Sequence, residues 1–268
     1  MKNTLNYEDS GSGLPVVLIH GFPLNRSMWQ PQVKALADAG CRVICPDLPG
    51  FGQSPVLEGD ASMDRYADAV MSLLDELGIE QAVIGGMSMG GYVLLTLVAR
   101  YPQRLLGAMY LVTRAAADDP AGKEKRSMLA QEVAAGDTAI VPDSFAQVLF
   151  APHTAEEKPG LVKAVRQMME SASAGGVVGG LLAMRDRDDF VDRLPGLGVP
   201  ALVVGAELDA AVPIEHARLL AQGLPDAQLE IIAGAGHMVN LERPEEFNQA
   251  IIKFIHNRGH ITNVSPVV

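Results

Sequence analysis

One serine in this chain stands in a context that favours nucleophilic catalysis. Ser88 is the centre of a Gly-x-Ser-x-Gly pattern at 86–90, after the apolar run 81–84 and before a helix-like segment at 92–100. A serine in a sharp turn from strand to helix leaves little room for neighbouring side chains, so the flanking positions must be glycine or small. Such a turn lifts the hydroxyl clear of the sheet and directs helix N-terminal amides toward developing negative charge. The pattern therefore predicts a nucleophile elbow at Ser88.

A serine nucleophile needs a base and an acid, and both follow in the order expected for an elbow. The strand-like run 199–205 is followed by Glu207 and Asp209, and the run 228–232 is followed by a small-residue loop that ends in His237. Both positions lie past the C-terminal ends of strands, where open α/β sheets place their active sites. We expect His237 to take the serine proton and Asp209 to hold the imidazole tautomer. Glu207 is the alternative acid, but Asp209 is preferred because it lies beyond the loop turn.

A loop after an earlier strand offers the remaining element of such a site. The apolar run 15–19 leads directly into His20, Gly21 and Phe22. Two backbone amides are needed to bind an oxyanion, one from the residue after the nucleophile and one from this loop. The sequence therefore predicts an oxyanion hole formed by the amides of Met89 and Phe22. His20 is expected to be a structural histidine that hydrogen-bonds its own loop.

These motifs make the chain similar to a known family. It resembles the α/β-hydrolases and, more narrowly, the small carboxylesterase and 3-oxoadipate enol-lactonase group. The resemblance rests on five segments: 20–24, 47–54, 86–91, 205–209 and 234–237. It implies an α/β-hydrolase fold, with a mostly parallel sheet flanked by helices and an inserted helical cap. It also implies a Ser-His-Asp triad that needs no cofactor.

The order of apolar patterns along the chain agrees with that fold. Strand and helix patterns alternate, as in a mostly parallel sheet. Strands are predicted at 3–8, 15–19, 42–46, 81–86, 107–112, 199–205 and 227–232, and helices at 31–39, 62–77, 88–100, 213–222 and 244–257. The alternation stops between 115 and 190, where only helices are predicted, at 120–135, 142–150, 154–173 and 177–187.

The helical stretch divides the predicted organisation into a core and an insertion. Residues 1–114 and 191–268 form the hydrolase core, and residues 115–190 form a cap that covers one wall of the pocket. Most apolar side chains of the cap must pack it on the core. A smaller set is expected to face the substrate: Leu129, Phe145, Leu149 and Met184.

Arg114 and the glycine pairs near the cap each allow two interpretations. Arg114 follows a strand end near the site and either binds a substrate carboxylate or forms a structural salt bridge. Related chains often carry Asp-Thr-Arg there, whereas this chain has Val112 two residues before Arg114, so we expect the polarity of the pocket to differ from theirs. The charged runs 123–126 and 185–189 are interpreted as solvated faces. The glycine pairs within 175–180 mark either a loop or helix start, or a mobile lid.

Composition limits the kinds of partner. The formal net charge of −11 argues against nucleic acid and anionic membranes, both of which attract positive charge. No apolar run approaches the roughly 20 residues of a membrane span, and the N-terminus lacks a signal-peptide core, so a cytoplasmic protein is expected.

Cys41 and Cys45 lie on one predicted strand, too far apart to pair. No metal spacing or dinucleotide motif is present, and the sequon at Asn263 is not expected to be used.

The sequence as a whole indicates a cofactor-free serine hydrolase that cleaves small carboxylic esters through an acyl-enzyme. Enol-lactone hydrolysis and perhydrolysis of the cofactor-free haloperoxidase kind use the same machinery and remain alternatives. A catalytically silent binding protein with a hydrolase fold is the alternative from another class, although such proteins typically lose the triad. Haloalkane dehalogenase chemistry would need an aspartate in place of Ser88.

Overall fold

A seven-stranded β-sheet forms the centre of the protein in the computed structural model, which describes residues 5–259. The strands lie in the order β1-β3-β2-β4-β5-β6-β7, and only β1 is antiparallel to its neighbour. The strands are β1 (Tyr7–Gly11), β2 (Leu14–Ile19), β3 (Cys41–Pro46), β4 (Ala82–Met87), β5 (Leu105–Leu111), β6 (Ala201–Ala206) and β7 (Ala227–Ile232). The first predicted strand, 3–8, is therefore shifted to Tyr7–Gly11, and its residues 3 and 4 lie outside the described part, as does the sequon at Asn263.

Helices cover both faces of this sheet. They are α1 (Gln30–Asp38), α2 (Met63–Glu76), α3 (Met89–Arg100), α4 (Pro120–Ala134), α5 (Ile140–Ala146), α6 (Thr154–Glu157), α7 (Pro159–Glu170), α8 (Ala174–Arg185), α9 (Ile214–Gly223), α10 (Val239–Glu242) and α11 (Pro244–Gly259). Side chains alternate across a strand, so β2 sends Val17 into one apolar core and Val16 into the other. The helices α2, α3 and α9 pack on the first face, and α1 and α11 pack on the second. The α/β-hydrolase architecture predicted from the sequence is confirmed.

Five helices, α4 to α8, come between β5 and β6, and we call residues 115–190 the insertion. The two ends of the insertion lie side by side, because the Phe190 amide donates to the Ala115 carbonyl at 3.0 Å. The helix predicted at 154–173 is interrupted, since Pro159 has no N–H to continue it and instead begins α7. The helix predicted at 142–150 is shorter and ends at Ala146.

The glycines of the insertion serve close packing. Gly175 to Gly180 lie inside α8, which begins at Ala174. A side-chain carbon on Gly176 would lie 1.9 Å from the carbonyl oxygen of Gly50, so only glycine lets the helix approach the loop after β3. A side-chain carbon on Gly180 would lie 2.9 Å from the rings of Phe22 and Phe51. The glycine pairs therefore belong to a docked helix, and the interpretation as a mobile lid finds no support in this packing.

His20 joins the loops that follow β2 and β3. Its Nδ1 lies 2.9 Å from the Gly21 carbonyl, and its Nε2 accepts the Leu48 amide at 2.9 Å. Complete burial lowers the pKa of His20, which keeps the ring neutral and its Nε2 free to accept. The predicted hydrogen bond from this histidine to its own loop is confirmed.

The remaining compositional expectations concern membranes and disulfides. Among residues 5–259, no helix is both long and apolar enough to cross a lipid bilayer. Cys41 and Cys45 are buried and unpaired on β3, as their spacing on a strand predicts.

Candidate active site

Ser88 occupies the sharp turn between β4 and α3. Its φ of 53° and ψ of −113° lie in a region that L-residues rarely adopt. Two bonds to the adjacent strand end hold this conformation: the Ser88 amide donates to the Leu111 carbonyl at 3.0 Å, and the Thr113 hydroxyl donates to the Ser88 carbonyl at 2.8 Å. The end of β5 thus holds the strained residue at both its amide and its carbonyl, and a strained conformation persists only with such fixed partners.

The glycines around Ser88 are required by space. A side-chain carbon on Gly86 would lie 2.1 Å from the carbonyl oxygen of Gly90, and one on Gly90 would lie 2.4 Å from that of Ile19. These contacts are with backbone atoms that cannot move aside without disturbing the sheet. The steric reason for the Gly-x-Ser-x-Gly pattern therefore holds in this fold.

Asp209 and His237 form a buried pair on the loops after β6 and β7. Asp209 Oδ2 lies 2.7 Å from His237 Nδ1. The other oxygen, Oδ1, accepts the amides of Ala211 and Val212, each at 2.8 Å. Because both carboxylate oxygens accept hydrogen bonds, the carboxylate has a fixed orientation. It favours the His237 tautomer that carries its proton on Nδ1, which leaves Nε2 unprotonated.

Glu207, the alternative acid, lies elsewhere. Its side chain is exposed and accepts the Gly234 amide at 2.9 Å. The structure brings Asp209, rather than Glu207, to the ring of His237.

Two backbone amides are available beside the serine. In the described part of the chain, neither the Phe22 amide nor the Met89 amide donates a hydrogen bond to a protein acceptor. Met89 is the first residue of α3, so its amide points out of the helix N-terminus, where partial positive charge accumulates. These two donors are the ones predicted from the sequence to form an oxyanion hole.

A cavity of about 300 Å³ contains both Ser88 and His237 in its wall. Most of the predicted substrate-binding side chains contribute to the same wall: Arg114, Leu129, Phe145 and Met184. Leu149 does not. It is buried in the core, where its carbonyl accepts the Met238 amide at 2.9 Å, and the preceding residue, Val148, faces the cavity instead. The prediction that Leu149 lines the cavity is therefore wrong, and Val148, one position earlier, lines it.

Val112 follows β5, at the position where related chains often carry an aspartate. Its φ is 41°, which is unfavourable for a β-branched residue, and its side chain is buried in the core rather than in the cavity wall. Its amide donates to the Val204 carbonyl at 2.8 Å. The residue therefore affects the backbone at the strand end and contributes no side chain to the cavity.

One arginine of each run interpreted as a solvated face turns inward, while most other members of the two runs stay exposed. Arg126 and Arg187 both contact the buried carboxylate of Asp118, which Arg114 also contacts. Arg187 is itself buried and lies over the ring of Tyr92, with 4.3 Å between its guanidinium carbon and the ring centroid. Asp118 was missed in the sequence, because Arg114 and Asp118 lie before α4, where a spacing of four residues does not bring side chains together as it does on a helix.

A second buried acid ties the insertion to the loop that carries His237. Glu242 Oε2 accepts the Gly236 amide at 2.9 Å, while Oε1 accepts the Ala151 amide at 2.8 Å and the Thr154 hydroxyl at 2.5 Å. Nothing in the sequence singles out Glu242, because it stands in a polar stretch just before α11. Two of its three donors, on Ala151 and Thr154, lie 91 and 88 residues away, and only the folded chain brings them to Glu242 beside the Gly236 amide.

Among residues 5–259, no group of three or more histidine, cysteine or carboxylate side chains is placed to hold a metal ion.

The chain belongs to the alpha/beta hydrolase fold family, whose profile matches residues 15–244. A solved structure of a thermophilic esterase from Thermogutta terrifontis, with malate bound, superposes with a TM-score of 0.92 at 39% identity, over 95% of this chain and 94% of that one. A 3-oxoadipate enol-lactonase from Acinetobacter baylyi is 30% identical, over 92% of this chain and 91% of its own length. A non-heme chloroperoxidase from Kitasatospora aureofaciens is 32% identical, over 93% and 95%.

Replacing Glu242 with glutamine should destabilise the protein by about 2 kcal/mol, because an amide can accept on one oxygen only and leaves buried donors unpaired. The free energy of unfolding in urea measures this loss. Glu207→Gln is the matched control, since Glu207 is exposed and accepts one loop amide, whereas Glu242 is buried and accepts three donors, and it should cost less than about 0.5 kcal/mol. Equal losses in the two variants would contradict a bridging role for Glu242.

Proposed function

We propose that the protein is a serine hydrolase of small carboxylic esters, with Ser88 as nucleophile, His237 as general base and acid, and Asp209 as the residue that orients His237. The observation that carries this proposal is the buried Asp209–His237 pair, which shares a cavity with a serine held in a strained elbow. Membership of the hydrolase fold family and the relatives named above support the same class of chemistry.

The proposed reaction follows from the His237 tautomer that the contact with Asp209 favours. With Nδ1–H directed at Asp209, His237 Nε2 takes the Ser88 proton as Oγ attacks the acyl carbon. The Phe22 and Met89 amides bind the oxyanion of the tetrahedral intermediate. His237 then delivers the proton to the leaving alcohol, and water repeats the sequence to release the acid from the acyl-enzyme.

The insertion is proposed to act as a cap that selects substrates. Its side chains Leu129, Phe145 and Met184 complete the cavity wall opposite the elbow. A wall of this kind excludes water from the acyl-enzyme and sets the size of the acyl group that fits.

Two related reactions use the same residues and remain candidates. Lactone hydrolysis differs only in that the leaving alcohol stays attached to the acyl group. Perhydrolysis differs in that hydrogen peroxide, instead of water, attacks the acyl-enzyme. The enol-lactonase and chloroperoxidase relatives favour testing both, with a lactone panel and with peroxide beside the ester panel.

Replacing Ser88 with alanine should lower turnover of p-nitrophenyl esters by about 10⁴-fold or more, because the oxyanion donors alone cannot form an acyl-enzyme. Fluorophosphonate labelling followed by peptide mass spectrometry should mark Ser88 and no other serine. Turnover within tenfold of the parent, in a variant with unchanged thermal unfolding, would refute the assignment of the nucleophile. Absence of any hydrolysis in the parent would favour the silent binding protein.

Replacing Asp209 with asparagine should reduce kcat by about 10⁴-fold. The asparagine oxygen must stay with the Ala211 and Val212 amides, so its NH₂ faces His237 and forces the tautomer that carries the proton on Nε2. That tautomer cannot accept the serine proton. Glu207→Gln is the matched control and should keep kcat within threefold. The reverse ranking in steady-state kinetics would assign the acid to Glu207.

Trimming the cavity wall should change acyl selectivity. Phe145→Ala should raise kcat/KM for octanoate over acetate esters by roughly 10-fold, since an apolar pocket contact is worth about 1–3 kcal/mol. Leu149→Ala removes a comparable apolar side chain that lies in the core, so it should lower stability and leave the acyl-length ranking unchanged. A similar shift in both variants, measured across a series of p-nitrophenyl esters, would count against a selective role for the cavity wall.

A further inference from the structure

Asp118 is the centre of a cationic cluster in the wall of the candidate active-site cavity. The cluster comprises Arg114, Arg126 and Arg187 around one carboxylate, and Lys125 beside them on α4. Arg187 binds Asp118 through both terminal nitrogens, at 3.0 Å each. Burial raises the pKa of Asp118, but hydrogen bonds from Arg187 and Arg126 outweigh it and hold the pKa well below its ordinary value. The carboxylate is therefore ionised at neutral pH.

The cluster carries more positive charge than its carboxylate can neutralise. Guanidinium groups stay protonated in proteins, so three arginines against one aspartate leave an excess of two positive charges, and Lys125 adds a third. Asp118 is the one carboxylate among the described residues of the cavity wall. A purely structural ion pair would need only Arg187, which is buried with Asp118. The remaining cations face the space in front of Ser88 and His237.

Some donors of the cluster have no protein partner. Arg114 Nε is buried and makes no hydrogen bond to any residue between 5 and 259. Lys125 is exposed at the cavity and forms no ion pair with any described residue. The Lys125 ammonium is a donor that a ligand anion entering the cavity can reach, whereas the Arg114 Nε atom has too little exposed surface for such a contact.

We propose that Arg114, Lys125 and Arg126 form an anion subsite that binds a second carboxylate of the substrate. This inference rests on the proposed ester hydrolysis and narrows its substrate class to half-esters of short dicarboxylic acids. The volume of about 300 Å³ lies at the small end of ligand cavities and suits a short diacid. In a site partly shielded from water, the carboxylate interacts with the guanidinium groups more strongly than it would in bulk solvent.

Arg114 and Arg126 also hold Asp118, so replacing them would disturb the cluster itself. Lys125 is the cleaner probe, because it contacts no other member. Lys123 is its matched control on the same helix: it is exposed, equally charged and outside the cavity wall.

The kinetic experiment compares monoethyl succinate with ethyl butyrate, which have acyl groups of equal length and differ in one carboxylate. In a pH-stat assay, the parent should favour monoethyl succinate by at least 10-fold in kcat/KM. Lys125→Met should lower that ratio about fivefold, and Lys123→Met should leave it within twofold of the parent. Raising NaCl from 50 to 500 mM should reduce the parent ratio through screening. A parent ratio near one would overturn the subsite.

A binding experiment separates the subsite from the catalytic proposal. The Ser88→Ala protein should bind succinate in isothermal titration calorimetry, and it should bind butyrate at least tenfold more weakly. Adding Lys125→Met should weaken succinate binding about fivefold, whereas adding Lys123→Met should not. Succinate binding by a protein whose parent hydrolyses neither ester would support the subsite and refute the esterase. Hydrolysis of both esters at equal rates without succinate binding would do the opposite.

Discussion

The site depends on one constraint: a serine held in a backbone conformation that it would not adopt alone. Ser88 keeps its positive φ because the strand ends beside it supply fixed partners, the Leu111 carbonyl and the Thr113 hydroxyl. Val112, between those partners, is itself at positive φ. Two residues at positive φ thus directly follow the neighbouring strands β4 and β5, and such strain costs of order 1–3 kcal/mol each. The core on both sheet faces is what sustains that cost.

Burial and charge then divide the cavity wall into two parts. One part is apolar, with Phe22, Leu129 and Phe145 packed across the gap between core and insertion; the rings of Phe22 and Phe145 are 5.5 Å apart. The other part is cationic, although the chain as a whole carries a net charge of −11. A negative protein with a local positive cavity draws small anions to one place and repels them elsewhere.

The sequence was informative where chemistry demands a local pattern. The elbow, the strand ends that carry Asp209 and His237, and the run of helices between β5 and β6 all follow from residue type and spacing over a few positions. It was uninformative where contacts are long-range. Leu149 and Val148 are equally apolar neighbours, and only the docking of the insertion decides which one faces the cavity. Likewise, Arg126 and Arg187 appear in polar runs, and their inward orientation depends on Asp118, a residue that a solvated-face interpretation has no reason to single out.

The hydrogen bonds of Glu242 limit how the insertion can be replaced by that of a related protein. Its carboxylate joins the Ala151 amide and the Thr154 hydroxyl to the Gly236 amide, next to His237. The insertion is therefore not an independent module that can be cut at 115 and 190 and replaced at will. In a chimaera with a foreign insertion, the buried Glu242 carboxylate loses the donors that Ala151 and Thr154 supply. A chimaera should therefore retain residues 149–154 of this chain. The junctions then fall within the insertion, and the loop that carries His237 keeps its hydrogen bond to Glu242.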